Sequence, residues 1–98
     1  MEKLFYPAVF HRAEEGGFWV SFPDILECLT DGDDMTEAYK MAVEALELAL
    51  SNRIERKEEI PTATEMDQIQ TEEGTLVIIE FDMMEYRKKH NSRAVKKL

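Results

Sequence analysis

Cysteine occurs once in the 98 residues, at Cys28. One thiol cannot close an internal disulfide and is too few for a cysteine metal cage, which excludes the staples of small secreted domains. Long apolar runs are missing too: none approaches the roughly 18 to 20 residues that a helix needs to span a bilayer. The opening residues MEKLFYPAVFHRAEE lack a signal peptide's charged start, apolar middle and small-residue cleavage site. A cytoplasmic location without a membrane partner is the expectation. The length excludes two independent catalytic domains, because a second core would need more chain. What is present, 44% apolar and 34% charged residues, is the composition of one soluble globular domain.

Positive charge is scarce through most of the chain. All 21 carboxylates fall in residues 1–85 beside six Lys or Arg, a net of −15, whereas residues 86–98 carry six basic residues and a net of +6. The boundary between a globular domain, 1–85, and a basic tail or linker, 86–98, is placed there. An acidic body repels phosphate backbones and attracts basic partners, and a short basic tail does the opposite. Excess charge of this size also serves plain solubility.

Alternation of apolar residues predicts a strand over Leu4 to His11, with Leu4, Tyr6, Ala8 and Phe10 on one face and Phe5, Pro7, Val9 and His11 on the other. Pro7 has no amide hydrogen and demands an edge or a bulge. The turn Arg12 to Gly17 then leads to Phe18, Val20 and Phe22 alternating with Trp19 and Ser21, a β-hairpin pattern that Pro23-Asp24 interrupts. A short third strand is expected around Cys28 to Thr30, closed by Asp31, Gly32 and Asp33.

From Asp34 the period changes to 3.6, with Ala38, Met41, Ala42, Ala45, Leu48 and Ala49 forming one face of a helix that runs to about Arg56. Asp34 and Glu37 are spaced as a capping box, and Glu37, Lys40, Glu44 and Glu47 form the wet stripe. Ile60-Pro61 stops the helix, and residues 63–73 read as a loop with one helical turn available between Thr64 and Ile69. Thr75 to Met83 is the strongest strand, Val77, Ile79 and Phe81 opposing Leu76, Ile78, Glu80 and Asp82. The order β-β-β-α-β predicts an α+β fold, one helix layered on an antiparallel sheet.

Tyr6-Pro7-Ala8, Gly16-Gly17, the run Val20-Ser21-Phe22-Pro23-Asp24-Ile25, Thr30 and Gly32, Glu37-Ala38 and Ile60-Pro61 follow one another at the spacing of the HicB family, which this sequence resembles from about Leu4 to Met83. The resemblance implies a partial ribonuclease H-like fold and an antitoxin that binds and occludes its toxin. Family toxins are small basic ribonucleases of the HicA type, with a double-stranded-RNA-binding-like fold and a catalytic histidine. The chain departs from the family pattern at Leu26-Glu27, where Pro-Gly is usual, and this puts another carboxylate on the same edge. In long members a segment resembling residues 86–97 leads into a ribbon-helix-helix or helix-turn-helix unit that binds operator DNA. Thirteen residues cannot supply those helices, so operator binding is expected only of a longer chain.

Catalysis is not expected. A two-metal site needs carboxylates converging from separate elements, whereas Asp31, Asp33 and Asp34 share one turn and suit turn and cap roles, with Asp24 alone elsewhere. His11 and His90 have no nucleophile arranged beside them, Cys28 reads as a small buried residue, and no cofactor or metal is implied. The acidic helix stripe Glu37, Glu44 and Glu47 is the leading candidate for toxin contact, with Asp24 and Glu27 at the rim. Trp19 faces away from Phe18, Val20 and Phe22, which groups it with Val9, Leu76 and Ile78 on a face open to burial against another protomer, a dimer or tetramer. The rival reading is a non-catalytic oligomerisation domain of a DNA-binding repressor or a phage-type protein.

Overall fold

The computed structural model describes residues 3–69 and 73–88. Within them β1 (Lys3–Arg12), β2 (Phe18–Ser21), β3 (Leu29–Gly32), α1 (Met35–Glu55), a 3-10 turn (Met66–Gln68) and β4 (Thr75–Asp82) follow in the expected order. The strands form one antiparallel sheet in the order β3-β2-β1-β4. Its α1-facing side carries Tyr6, Ala8, Phe10, Val20, Ile79 and Phe81, which pack with Ala38, Ala42, Leu46, Ala49 and Leu50 of the helix. This is the α+β fold read from the alternation.

Pro7 is accommodated without a bulge. β2 pairs only with Val9 to Arg12 of β1, so β1 is flanked at Pro7 by β4 alone and the missing amide hydrogen breaks no second ladder. Gly32 explains the Thr-x-Gly step: a Cβ there would lie 2.3 Å from the Ala38 backbone nitrogen. A bare backbone at Gly32 lets the first turn of α1 press onto β3.

Two details differ from expectation. Cys28 precedes β3 instead of opening it, its amide donating to Ile25 O at 2.9 Å in a turn, while Asp31 and Gly32 belong to the strand. Leu48, assigned to the buried stripe, is 65% exposed, and Leu46 and Leu50 fill the core in its place. The three leucines are spaced by two, and residues two apart on a helix point some 200° away from each other, so burial of Leu46 and Leu50 turns Leu48 outward. The end of α1 falls where the sequence puts it, at Glu55 with Arg56 as the C-cap. Lys57 adopts φ 61, its amide donating to Ile54 O and that of Glu58 to Arg53 O, a Schellman closure without glycine.

Beyond β4 the chain is helical over residues 83–88, and Tyr86 is buried in the core with its ring 6.0 Å from that of Phe81. Most of the basic segment, residues 89–98, lies outside the described residues.

Candidate interaction surfaces

The five carboxylates singled out for toxin contact divide by what already holds them. Asp24 accepts hydrogen bonds from the Thr64 amide, at 2.9 Å, and from the Thr64 hydroxyl, 40 residues away. It pins the connection after α1 beside β1, where the Tyr6 hydroxyl donates to Pro61 O at 2.6 Å. Burial, then the neighbouring Asp24 charge, pushes the Tyr6 hydroxyl above its ordinary pKa, so it remains a donor. Glu27 takes a two-point grip from Arg53 at the last turn of α1, at 2.8 and 2.9 Å. The Arg53 hydrogen bond, followed by a backbone hydrogen bond, holds the Glu27 carboxyl below its usual range.

Glu37 completes the capping box, with one shift. Its amide donates to Asp34 Oδ1 at 2.8 Å, but its carboxylate reaches the amide of Asp33, at 2.6 Å, instead of the cap residue's own. Asp24, Glu27 and Glu37 therefore have structural roles.

Glu44 and Glu47 remain on α1, Glu44 fully outward and Glu47 half-buried with an intramolecular partner. Helical spacing puts Glu37, Glu44, Leu48 and Glu55 in one outward row, at steps of seven, four and seven residues. Leu48 thus forms an apolar point within an acidic strip. The sequence reading missed it, although the Leu-x-Leu-x-Leu spacing carried the signal.

The second surface is the sheet face away from α1. Val9 lies opposite Leu76 and beside Ser21, Pro7 lies opposite Ile78, and His11 lies opposite Trp19, so Trp19, Val9, Leu76 and Ile78 share this face as the alternation implied. Their exposure differs. Trp19 is 45% exposed and Leu76 and Ile78 are half-buried, but Val9 is only 6% exposed and offers little surface to a partner. Trp19 is fixed by the His11 ring, stacked at 3.7 Å and 10°, and His11 Nε2 lies 3.0 Å from Ser21 Oγ.

Among the described residues no three His, Cys, Asp or Glu side chains gather in a metal-holding group. No helix among them is long and apolar enough to cross a membrane. Cys28 is buried, and burial, followed by the Glu27 charge, pushes its thiol up to about 12. A thiol so displaced is a packing group at neutral pH.

The described residues thus form a four-stranded antiparallel sheet packed against one long helix, α1, whose outward face is acidic. The family described as HicB-like antitoxin of bacterial toxin-antitoxin system matches residues 6–95, and the chain belongs to that family. It is 46% identical over 61 residues to Antitoxin HicB 1 of Photorhabdus laumondii, a match covering 62% of this chain and 39% of that relative. The chain thus spans about two fifths of the length of the curated relatives it matches. A toxin-antitoxin complex from Streptococcus pneumoniae contains the same fold, with TM-score 0.74, 21% identity, and coverage of 86% of this chain and 72% of that one. The fold recurs in the HicA3 and HicB3 toxin-antitoxin complex, with TM-score 0.67, 24% identity, and coverage of 81% and 99%.

Proposed function

We propose that this domain neutralises a small basic HicA-type ribonuclease by covering its active site, with α1 as the contacting element. The observation that carries the reading is the outward row Glu37, Glu44, Leu48 and Glu55, an acidic strip around an exposed leucine. Carboxylates steer a basic partner toward the helix, and an apolar point within them gives the docked pair a dry centre. Asp24 adds to the negative field of the rim, while Glu27, its charge offset by Arg53, takes part there as a fixed hydrogen-bond acceptor. Self-association through the side of the sheet that bears Trp19, Leu76 and Ile78 produces a homo-oligomer. Residues 1–85, with Tyr86 packed into their core, form the toxin-binding unit, and operator binding with autoregulation belongs to a C-terminal unit of longer chains.

The test is co-purification of the 98-residue chain, without DNA, with a small basic HicA-type ribonuclease, sought first as the product of a reading frame adjoining its gene. Retention is expected at low salt, with progressive loss toward 1 M salt as the charge attraction is screened within a Debye length of about 3 Å. Co-purification indifferent to salt would replace the acidic strip with an apolar interface. The absence of binding at any salt would leave the oligomerisation-domain reading.

A further inference from the structure

The most exposed large apolar side chains among the described residues are three leucines, Leu26 at 81%, Leu48 at 65% and Leu29 at 61%. Leu48 belongs to the acidic strip of α1. Leu26 stands at the tip of a β-turn whose other residues are all anchored. The two ends of the turn, Ile25 and Cys28, are buried, and the Cys28 amide closes it by donating to Ile25 O at 2.9 Å. Ile25 is fixed in addition by a preceding turn, its amide donating to Phe22 O at 3.1 Å. Glu27 is held by the two-point grip of Arg53. Turn positions favour Pro, Gly, Asn, Asp and Ser, so turn chemistry does not account for a leucine here. A scattered exposed leucine is ordinary on a protein surface. This one sits on backbone immobilised from both sides, which lowers the ordering cost of meeting a partner.

We infer that Leu26 is a specificity-determining contact: it enters an apolar socket on the ribonuclease that docks on α1, with Glu27 and Arg53 as its positioning pair. The inference rests on the toxin reading proposed above and names what selects among toxins. Charge cannot select. The carboxylates of α1 attract any basic protein, so the strip sets the rate of encounter and leaves the choice of partner open. Choice needs a feature that a wrong partner cannot meet, and a fixed apolar projection either finds its socket or props the two surfaces apart.

The tip suits this task. Arg53 offsets the charge of Glu27 beside it, so Leu26 is an uncharged point on an acidic body. It also lies within reach of the same partner. Arg53 ties the turn to the last turn of α1, where the outward row ends at Glu55. A standard interface of about 800 Å² per partner extends well past one helix face.

The test is binding kinetics, at two salt concentrations, of the 98-residue chain with the small basic ribonuclease that co-purifies with it. Leu26→Ala should keep the circular dichroism of the fold and the association rate, and should dissociate about tenfold faster at both salt concentrations. Leu26→Met retains the apolar reach and should dissociate near the wild-type rate. Arg53→Lys replaces the two-point grip by a single charge; it should speed dissociation when made alone and add nothing beside Leu26→Ala. An Arg53→Lys effect of equal size in both backgrounds would give Arg53 a contact of its own and remove the positioning pair. Selection is read with HicA3, which forms a complex with HicB3. Leu26→Ala should narrow the preference of the chain for its own toxin over HicA3 by about the same tenfold. A Leu26→Ala chain that dissociates at the wild-type rate, or whose preference over HicA3 is unchanged, overturns the inference and leaves toxin contact at α1 standing. A wild-type chain that retains no such ribonuclease at any salt overturns both.

Discussion

Arg53 grips Glu27 with two parallel hydrogen bonds, Nε to Oε2 at 2.8 Å and Nη2 to Oε1 at 2.9 Å, tying the last turn of α1 to the turn that precedes β3. At this point the family pattern usually has Pro-Gly, and the chain has Leu26-Glu27. The ion pair fastens across 26 residues a turn that Pro-Gly would stiffen locally.

Glu27→Gln should therefore lower the melting temperature modestly at pH 7. Both partners reach solvent, which keeps such pairs weak. Because the folded carboxyl is held below its ordinary value of 4.5, the pair's contribution is fully present above that value. It disappears as the pH falls through the lower folded value. Thermal melts of the two proteins should differ at pH 7 and converge in acid. A difference that persists in acid would assign the effect to packing.

Asp24 should matter more than its position in a turn suggests. Its carboxylate takes two hydrogen bonds from Thr64, and removal strands a partly buried amide and hydroxyl. Hydrogen bonds to a charged acceptor contribute about 1.5–3 kcal/mol, so Asp24→Ala should destabilise the domain by about that much in urea melts. Combined with Thr64→Val, the effect should be less than additive, since both changes remove the hydroxyl–carboxylate hydrogen bond. Full additivity would exclude the contact as the cause.

The strand alternation, the change of period at Asp34 and the capping pair Asp34–Glu37 were legible because each depends on residues within a few positions of one another. The faces followed as well: Trp19 and Ile78 lie on the sheet face away from the one that carries Phe18 and Val77. Asp24 with Thr64 and Glu27 with Arg53 were not legible, since their partners stand 40 and 26 residues away and no local pattern announces them. Leu48 was misread for another reason. A broad alanine stripe tolerates several helical phases, and only the leucine spacing fixes which one packs.

The Schellman closure at Lys57 was hidden by the absence of glycine. Lys57 holds φ 61, a conformation that costs an ordinary side chain about 1–2 kcal/mol relative to glycine. Glycine relieves that strain but gains freedom in the unfolded chain, which offsets part of the benefit. Lys57→Gly should stabilise the domain by about 0.5–1 kcal/mol, read as a higher urea midpoint at unchanged m-value. An unchanged or lower midpoint would mean that the lysine's backbone is unstrained.

Glu44 and Leu48 face outward one helical turn apart, and neither is part of the core, so they test the proposed toxin contact without disturbing the fold. Exposed substitutions of this kind usually change stability by less than about 0.5 kcal/mol. Glu44→Lys reverses the charge of the strip and should slow association, an effect that shrinks as salt rises. Leu48→Asp keeps the strip acidic but removes its apolar point, so it should leave association near wild type and speed dissociation, an effect that persists at high salt. Binding kinetics of the purified pair at two salt concentrations separate these outcomes. If both variants inhibit the ribonuclease with wild-type rates while their melting temperatures stay unchanged, the outward face of α1 is a solvated surface and the toxin is held elsewhere.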